Sequence, residues 1–194
     1  MTKGMWLRIV SLQAILLLVL GAAAAFLIYE GNFVNSTVHD QLAAQQISFP
    51  PATAVVAGGA LDPKEFADLT QYAGQPVDNG VKAKAYADGF IGRHLQAAAS
   101  GQTYAQVSTA AQKDPTNAKL AGLKATLFQG ETLRSMLLNA WGWSMLATYT
   151  TYGGYGLLLA ALVVAGALVF ELFFARRSEQ VTSRTTVGSV ARVA

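Results

Sequence analysis

The chain has no cysteine. That excludes a disulfide framework, a thiolate nucleophile, and zinc or iron–sulfur sites built on thiolates. Charge is also scarce, at 13% of residues against about 25% in ordinary soluble domains. Histidine occurs only twice, at His39 and His94. No strand-like alternation of β-branched residues is present, and no nucleophile-elbow, Walker, HExxH or dinucleotide fingerprint occurs. A catalytic assignment therefore has little to start from, and no cofactor is expected.

What the chain does have is two long apolar runs, one near each end. The first is residues 9–29, IVSLQAILLLVLGAAAAFLIY, and the second is residues 152–174, YGGYGLLLAALVVAGALVFELFF. A helix of about twenty residues spans roughly 30 Å, the hydrocarbon thickness of a bilayer. Trp6 and Tyr29 bracket the first run; Tyr152, Tyr155, Phe173 and Phe174 bracket the second, as aromatic belts do at membrane interfaces. A cleaved signal peptide is the rival reading of the first run, but apolar sequence continues past Ala25 to Tyr29, beyond the usual signal core of about 7–15 residues.

Lys3, Arg8, Arg176 and Arg177 lie just outside the two runs. By the positive-inside rule both termini are cytoplasmic and the intervening segment extracytoplasmic. The net charge of +3 comes from these flanks, since residues 30–148 hold eight Lys and Arg against nine Asp and Glu. The basic balance thus reports membrane orientation and points away from nucleic acid.

These readings predict an all-α protein in which two transmembrane helices flank a small helical extracytoplasmic domain. The expected layout is a cytoplasmic N-terminus at 1–8, spans at 9–29 and 152–174, a domain at 30–151, and a disordered cytoplasmic tail at 175–194. Small residues recur on both spans, Gly21 with Ala25 and Ala161 with Ala165, at matching depth. They suit close packing between the spans or against a partner's helices. Glu171 and Arg8 lie at similar depth, and either pair or are solvated separately.

Within 30–151, helix is expected to continue over 37–46 and stop before Pro50-Pro51. Residues 52–60 read as a linker. Asp62-Pro63 begins a short helix to about Tyr72, and Asp78 caps a helix over about 79–99 whose apolar face is Val81, Ala85, Phe90, Ile91 and Leu95. Thr103 caps a helix to about Gln112, and Asp114-Pro115 opens the last one. There Leu120, Leu123, Leu127, Phe128, Leu133, Leu137 and Trp141 recur at three- and four-residue steps. Residues 135–151 are a buried helix, an interfacial one, or the start of the second span. The expected contact surface for a membrane partner is Leu133, Leu137 and Trp141, with Gly21, Ala25, Ala161 and Ala165 on the spans.

His39 and His94, with Asp40 or Asp88, have no metal-site spacing. Asp62, Glu65 and Asp68 suit a helix N-terminus. Asn35-Ser36-Thr37 fits a glycosylation acceptor.

The stretches YAGQPVDNGVKAKAYADGFIGRHL (72–95) and TLFQGETLRSMLLNAWGW (126–143) resemble a family of actinobacterial two-span membrane proteins. The likeness covers nearly the whole chain apart from the tail. Relatives are sometimes labelled aromatic ring-opening dioxygenases, which implies a ring-cleaving enzyme with a metal centre. These motifs transfer no catalytic residue. The expected partners are the lipid bilayer and another membrane protein, in a non-enzymatic accessory or scaffolding role; an extracytoplasmic ligand sensor is the alternative, ahead of a metal-dependent enzyme.

Overall fold

Helix dominates because the chain is rich in alanine, leucine and glutamine and holds only five prolines. A computed structural model describes residues 3–190, with side chains over 4–174. It contains helices α1 (Lys3–Ala44), α2 (Gly80–Lys84), α3 (Arg93–Ala98), α4 (Tyr104–Lys113) and α5 (Ala118–Val190), with a π-wound segment at Ala85–Gly92 between α2 and α3. Among the described residues there is no strand, only an isolated antiparallel bridge between Ser48 and Pro76.

The chain divides into two compact units: unit 1 is residues 1–30 with 150–194, and unit 2 is residues 31–149. Helices α1 and α5 are long and apolar enough to cross a membrane, with best-window mean hydropathies of 2.4 and 2.6. Only 6% of each window is buried within the protein. A core helix of a soluble domain would bury most of such a window, so these surfaces face a medium other than the chain itself.

In unit 1 the segments pack through small residues. Ala24 and Ala161 are buried, and Gly154 sits where an added Cβ would lie 2.7 Å from Ile28 Cγ1 and 3.1 Å from the Ala24 carbonyl oxygen. The expected pair Gly21 and Ala25 is one helical position away from this seam. A Cβ on Gly21 would meet nothing within 4 Å, and Ala25 is exposed. Adjacent residues on a helix point about 100° apart, so Ala24 packs where Ala25 cannot.

Unit 2 is built around Val38, Leu42, Phe49, Leu61, Phe66, Leu69, Val77, Ala83, Ala87 and Leu137. Leu95, Ala99, Val107 and Leu127 form a second cluster. Helix α1 ends as its last amides turn to tighter bonds, Gln45 to the Leu42 oxygen and Gln46 to that of Ala43. Gln46 then takes a left-handed conformation, φ 53°, the usual exit from a helix. Phe49 donates its amide to the Gln75 oxygen and Val77 to that of Ile47, pinning the chain on both sides of the intervening segment.

That segment departs from expectation. Residues 62–72 form turns and a short 3₁₀ helix (Thr70–Tyr72). Asp62 does cap one turn, accepting the Lys64 amide on its carboxylate and the Phe66 amide on its carbonyl, and its other carboxylate oxygen accepts the Gly58 amide, but the turn does not extend into a helix. The next helix is capped by Asn79, which accepts the Lys82 amide, so Asp78 is left outside the cap. Its buried face is Gly80, Ala83 and Ala87, while Val81 is exposed; π winding shifts the face by about a residue per turn. Thr103 forms a reciprocal capping box with Gln106. Asn117, three residues after Asp114, accepts the Leu120 amide and opens α5. Beyond Phe174 the backbone stays helical to Val190, since no glycine or proline intervenes before Gly188; the expected disordered tail is thus helical as far as it is described, and residues 191–194 lie outside the described ones.

Gly80 is a close-approach position. A Cβ there would lie 2.4 Å from Ser144 Cβ and 3.3 Å from Trp141 Cα. Gly80→Ala should destabilise unit 2 by about 1–3 kcal/mol, whereas Gly142→Ala, with nothing within 4 Å, should gain up to about 1 kcal/mol of helix propensity. Thermal unfolding of the detergent-solubilised chain checks both; midpoints ordered the other way round would contradict the packing.

Candidate functional site

The π segment creates the most polar locus of unit 2. Winding to i→i+5 bonds widens the helix and reorients its carbonyls. The Ala87 carbonyl accepts Arg134 Nε at 3.0 Å. Arg134 Nη2 donates to Asp88 Oδ1 at 3.1 Å, and Nη1 donates to both Glu131 oxygens. Lys84 Nζ completes the chain on Asp88 Oδ2 at 2.7 Å, and lies 4.5 Å from the Trp141 ring centroid. Two cations and two carboxylates alternate, each already engaged by opposite charge. This is the chemistry of a clamp between the π segment and α5.

Glycines make the clamp possible. A Cβ on Gly89 would lie 2.8 Å from Leu69 Cδ2, and one on Gly130 would lie 2.6 Å from Leu95. A Cβ on Gly92 would crowd Arg134 Nε at 3.3 Å. The stretches 72–95 and 126–143 are the ones that meet here.

The other candidate residues are held elsewhere. His94 Nδ1 contacts the Phe90 carbonyl at 2.8 Å and its ring stacks 5.1 Å from Phe66. His39 Nδ1 contacts the Asp78 carbonyl at 2.8 Å. Asp68 pairs with Arg93 through two hydrogen bonds of 2.8 Å, so it does not join Asp62 and Glu65 in one acidic site. Asn35 accepts from Ser144 at 3.1 Å. Among the described residues no group of three His, Asp or Glu is placed to hold a metal ion.

The contact surface expected on α5 divides. Leu133 is exposed, Leu137 is buried in the main core, and Trp141 is half-buried beneath Lys84. On the second span Ala161 is buried and Ala165 half-buried. Beside Leu137, an open groove of about 450 Å³ lies between Phe33, Val34, Thr37, Val38 and Gln41 of α1 and Met136, Asn139, Ala140 and Trp143 of α5. Phe33, Met136 and Trp143 are each half or more exposed. The groove is mostly apolar, with Thr37, Gln41 and Asn139 supplying hydrogen-bonding groups. Its α1 wall was not apparent from sequence; the signal was Phe33, Val34, Thr37 and Gln41 recurring at helical spacing past the first apolar run.

No family model, curated protein or solved structure matches this chain.

Four aspartates are held below the ordinary value of 3.8: Asp88 by Lys84 and then Arg134, Asp68 by Arg93, Asp78 by Lys82, and Asp62 by the Gly58 and Lys64 amides. A carboxyl depressed in the folded state stabilises fully above its unfolded pKa and loses that stabilisation as pH falls through the folded one. The melting temperature should therefore drop between about pH 5 and about pH 2, and Asp88→Asn should flatten part of that drop. A variant whose acid profile overlays the parent's would show that the Lys84–Asp88–Arg134 clamp contributes nothing.

Proposed function

We propose that this chain is an integral membrane accessory or scaffolding protein, with spans at 9–29 and 152–174, cytoplasmic ends, and an extracytoplasmic helical domain that docks a membrane-protein partner. The observation that carries the reading is the open apolar groove of Phe33, Met136 and Trp143. A soluble surface rarely leaves such rings uncovered. The mostly unburied apolar windows of α1 and α5 support the spans. Lys3, Arg8, Arg176 and Arg177 support the orientation. The resemblance to actinobacterial two-span membrane proteins agrees in layout. Leu133 and the groove-lining Met136 and Trp143 are the residues best exposed to meet a partner helix; Leu137 contributes by shaping the core beneath them.

Photocrosslinking tests the docking surface. A photoreactive phenylalanine analogue at Met136 or Trp143, irradiated in native membranes, should yield a discrete adduct with another membrane protein, and the same probe at exposed Val81 should not. Adducts with lipid alone would favour the alternative of an amphiphile-sensing module, whose ligand would set its polar end against Thr37, Gln41 and Asn139.

Topology is tested separately. Protease added to intact spheroplasts should cut around His94 and spare an epitope placed after Ala194. Cleavage of the epitope with the His94 region intact would reverse the orientation.

A further inference from the structure

Unit 1 holds one amide and one carboxyl in an apolar setting. Gln13 Nε2 donates to Glu171 Oε1 at 3.0 Å. The two remaining oxygens, Gln13 Oε1 and Glu171 Oε2, are shut off from solvent and take no hydrogen bond. Arg8 forms no ion pair with Glu171 among the described residues; Glu171 meets Gln13 instead. Residues one turn away, Ile9, Val10, Leu16 and Leu17 on α1 and Ala167 and Leu168 on α5, carry no side-chain donor. Two bare acceptors in such surroundings are costly, and the deficit is one donor.

We propose that Glu171 is a neutral carboxylic acid whose Oε2 hydroxyl donates to Gln13 Oε1, closing a ring of two hydrogen bonds between the side chains. A single proton, taken from water, makes Oε2 a donor and gives Gln13 Oε1 its partner. An ionised carboxylate leaves both a charge and a bare oxygen in the apolar seam. The ring survives the ambiguity of amide orientation: exchanging the oxygen and nitrogen of Gln13 moves the proton to the other carboxyl oxygen and changes nothing else. Acid and amide meet in one register only, so the ring sets which turn of one segment faces which turn of the other, the best-attested use of a buried polar pair.

The proposal is independent of the docking partner and shares with the proposed function only the placement of these segments in lipid. Polarised infrared spectroscopy of the full chain in oriented bilayers of ether-linked phosphatidylcholine, which has no ester carbonyl, separates the two. At neutral pH the wild type should show the carbonyl stretch of a protonated carboxylic acid. Glu171→Gln should abolish it, and Gln13→Leu should shift it by removing the partner. Glutamate labelled with ¹³C at the side-chain carboxyl should move the band in the wild type, which identifies it without any substitution. Glu171→Gln should also keep the wild-type melting temperature, because two amides close the same ring, while Glu171→Leu should lower it. A wild-type spectrum without that band, or one unchanged in Glu171→Gln, overturns the ring. The dichroism of the helix amide band reports separately whether the helices cross the bilayer.

Discussion

Two helices touch backbone to backbone only where neither places a side chain between them, and both units rely on such approaches. In unit 1, Gly154 lets the chain come within van der Waals reach of Ile28 and the Ala24 carbonyl. In unit 2, Gly80 does the same against Ser144 and Trp141. In unit 1 the buried residues are Ala24 on α1 and Gly154 and Ala161 on α5. Gly154 and Ala161 keep a seven-residue spacing, 3.5 residues per turn, which holds one stripe toward a neighbour.

This explains what the sequence could and could not disclose. Apolar length and helix-forming composition are local properties, so the two long helices were legible. Thr103 was legible as a cap, and the structure adds Gln106 as its reciprocal partner. That Ala24 rather than Ala25 is the buried one was not legible, because alanine fills 22–25 without interruption. The π segment was invisible: its winding is held in part by Arg134 on the Ala87 carbonyl, a contact 47 residues distant. Asp62 misled for a different reason. An aspartate before proline suits a helix cap, yet its carboxylate reached back to the Gly58 amide and formed a turn. Leu137 and Trp141 sat on the right helix, but their burial depends on Gly80, Ala83 and Lys84, residues whose faces shift with the π winding.

The two units handle polarity differently. The clamp of Lys84, Asp88, Arg134 and Glu131 uses full charges that remain partly exposed, where each pair contributes little alone. Its value is geometric: Arg134 makes four hydrogen bonds from one fork and fixes a carbonyl of the π segment at the same time. Gln13 and Glu171 lie among hydrocarbon side chains, where a net charge is far more expensive and an amide is the cheaper donor.

Arg134 also marks a limit. No charged residue follows it until Glu171, leaving 135–170 without charge. As helix this stretch is about 54 Å long, well beyond the roughly 30 Å of a hydrocarbon core. On the proposed placement lipid covers only part of it, and the remainder needs cover from protein. Leu137 supplies that cover inwardly, at 3% exposure, and Ala147 at 2%. Met136 and Trp143, on the outer side of the same turns, are exposed at 65% and 50%. On that placement an excess of apolar helix over membrane thickness leaves an uncovered apolar face beside the groove, and the absence of charge from 135 to 170 is the sequence-level cause of the surface proposed to receive a partner.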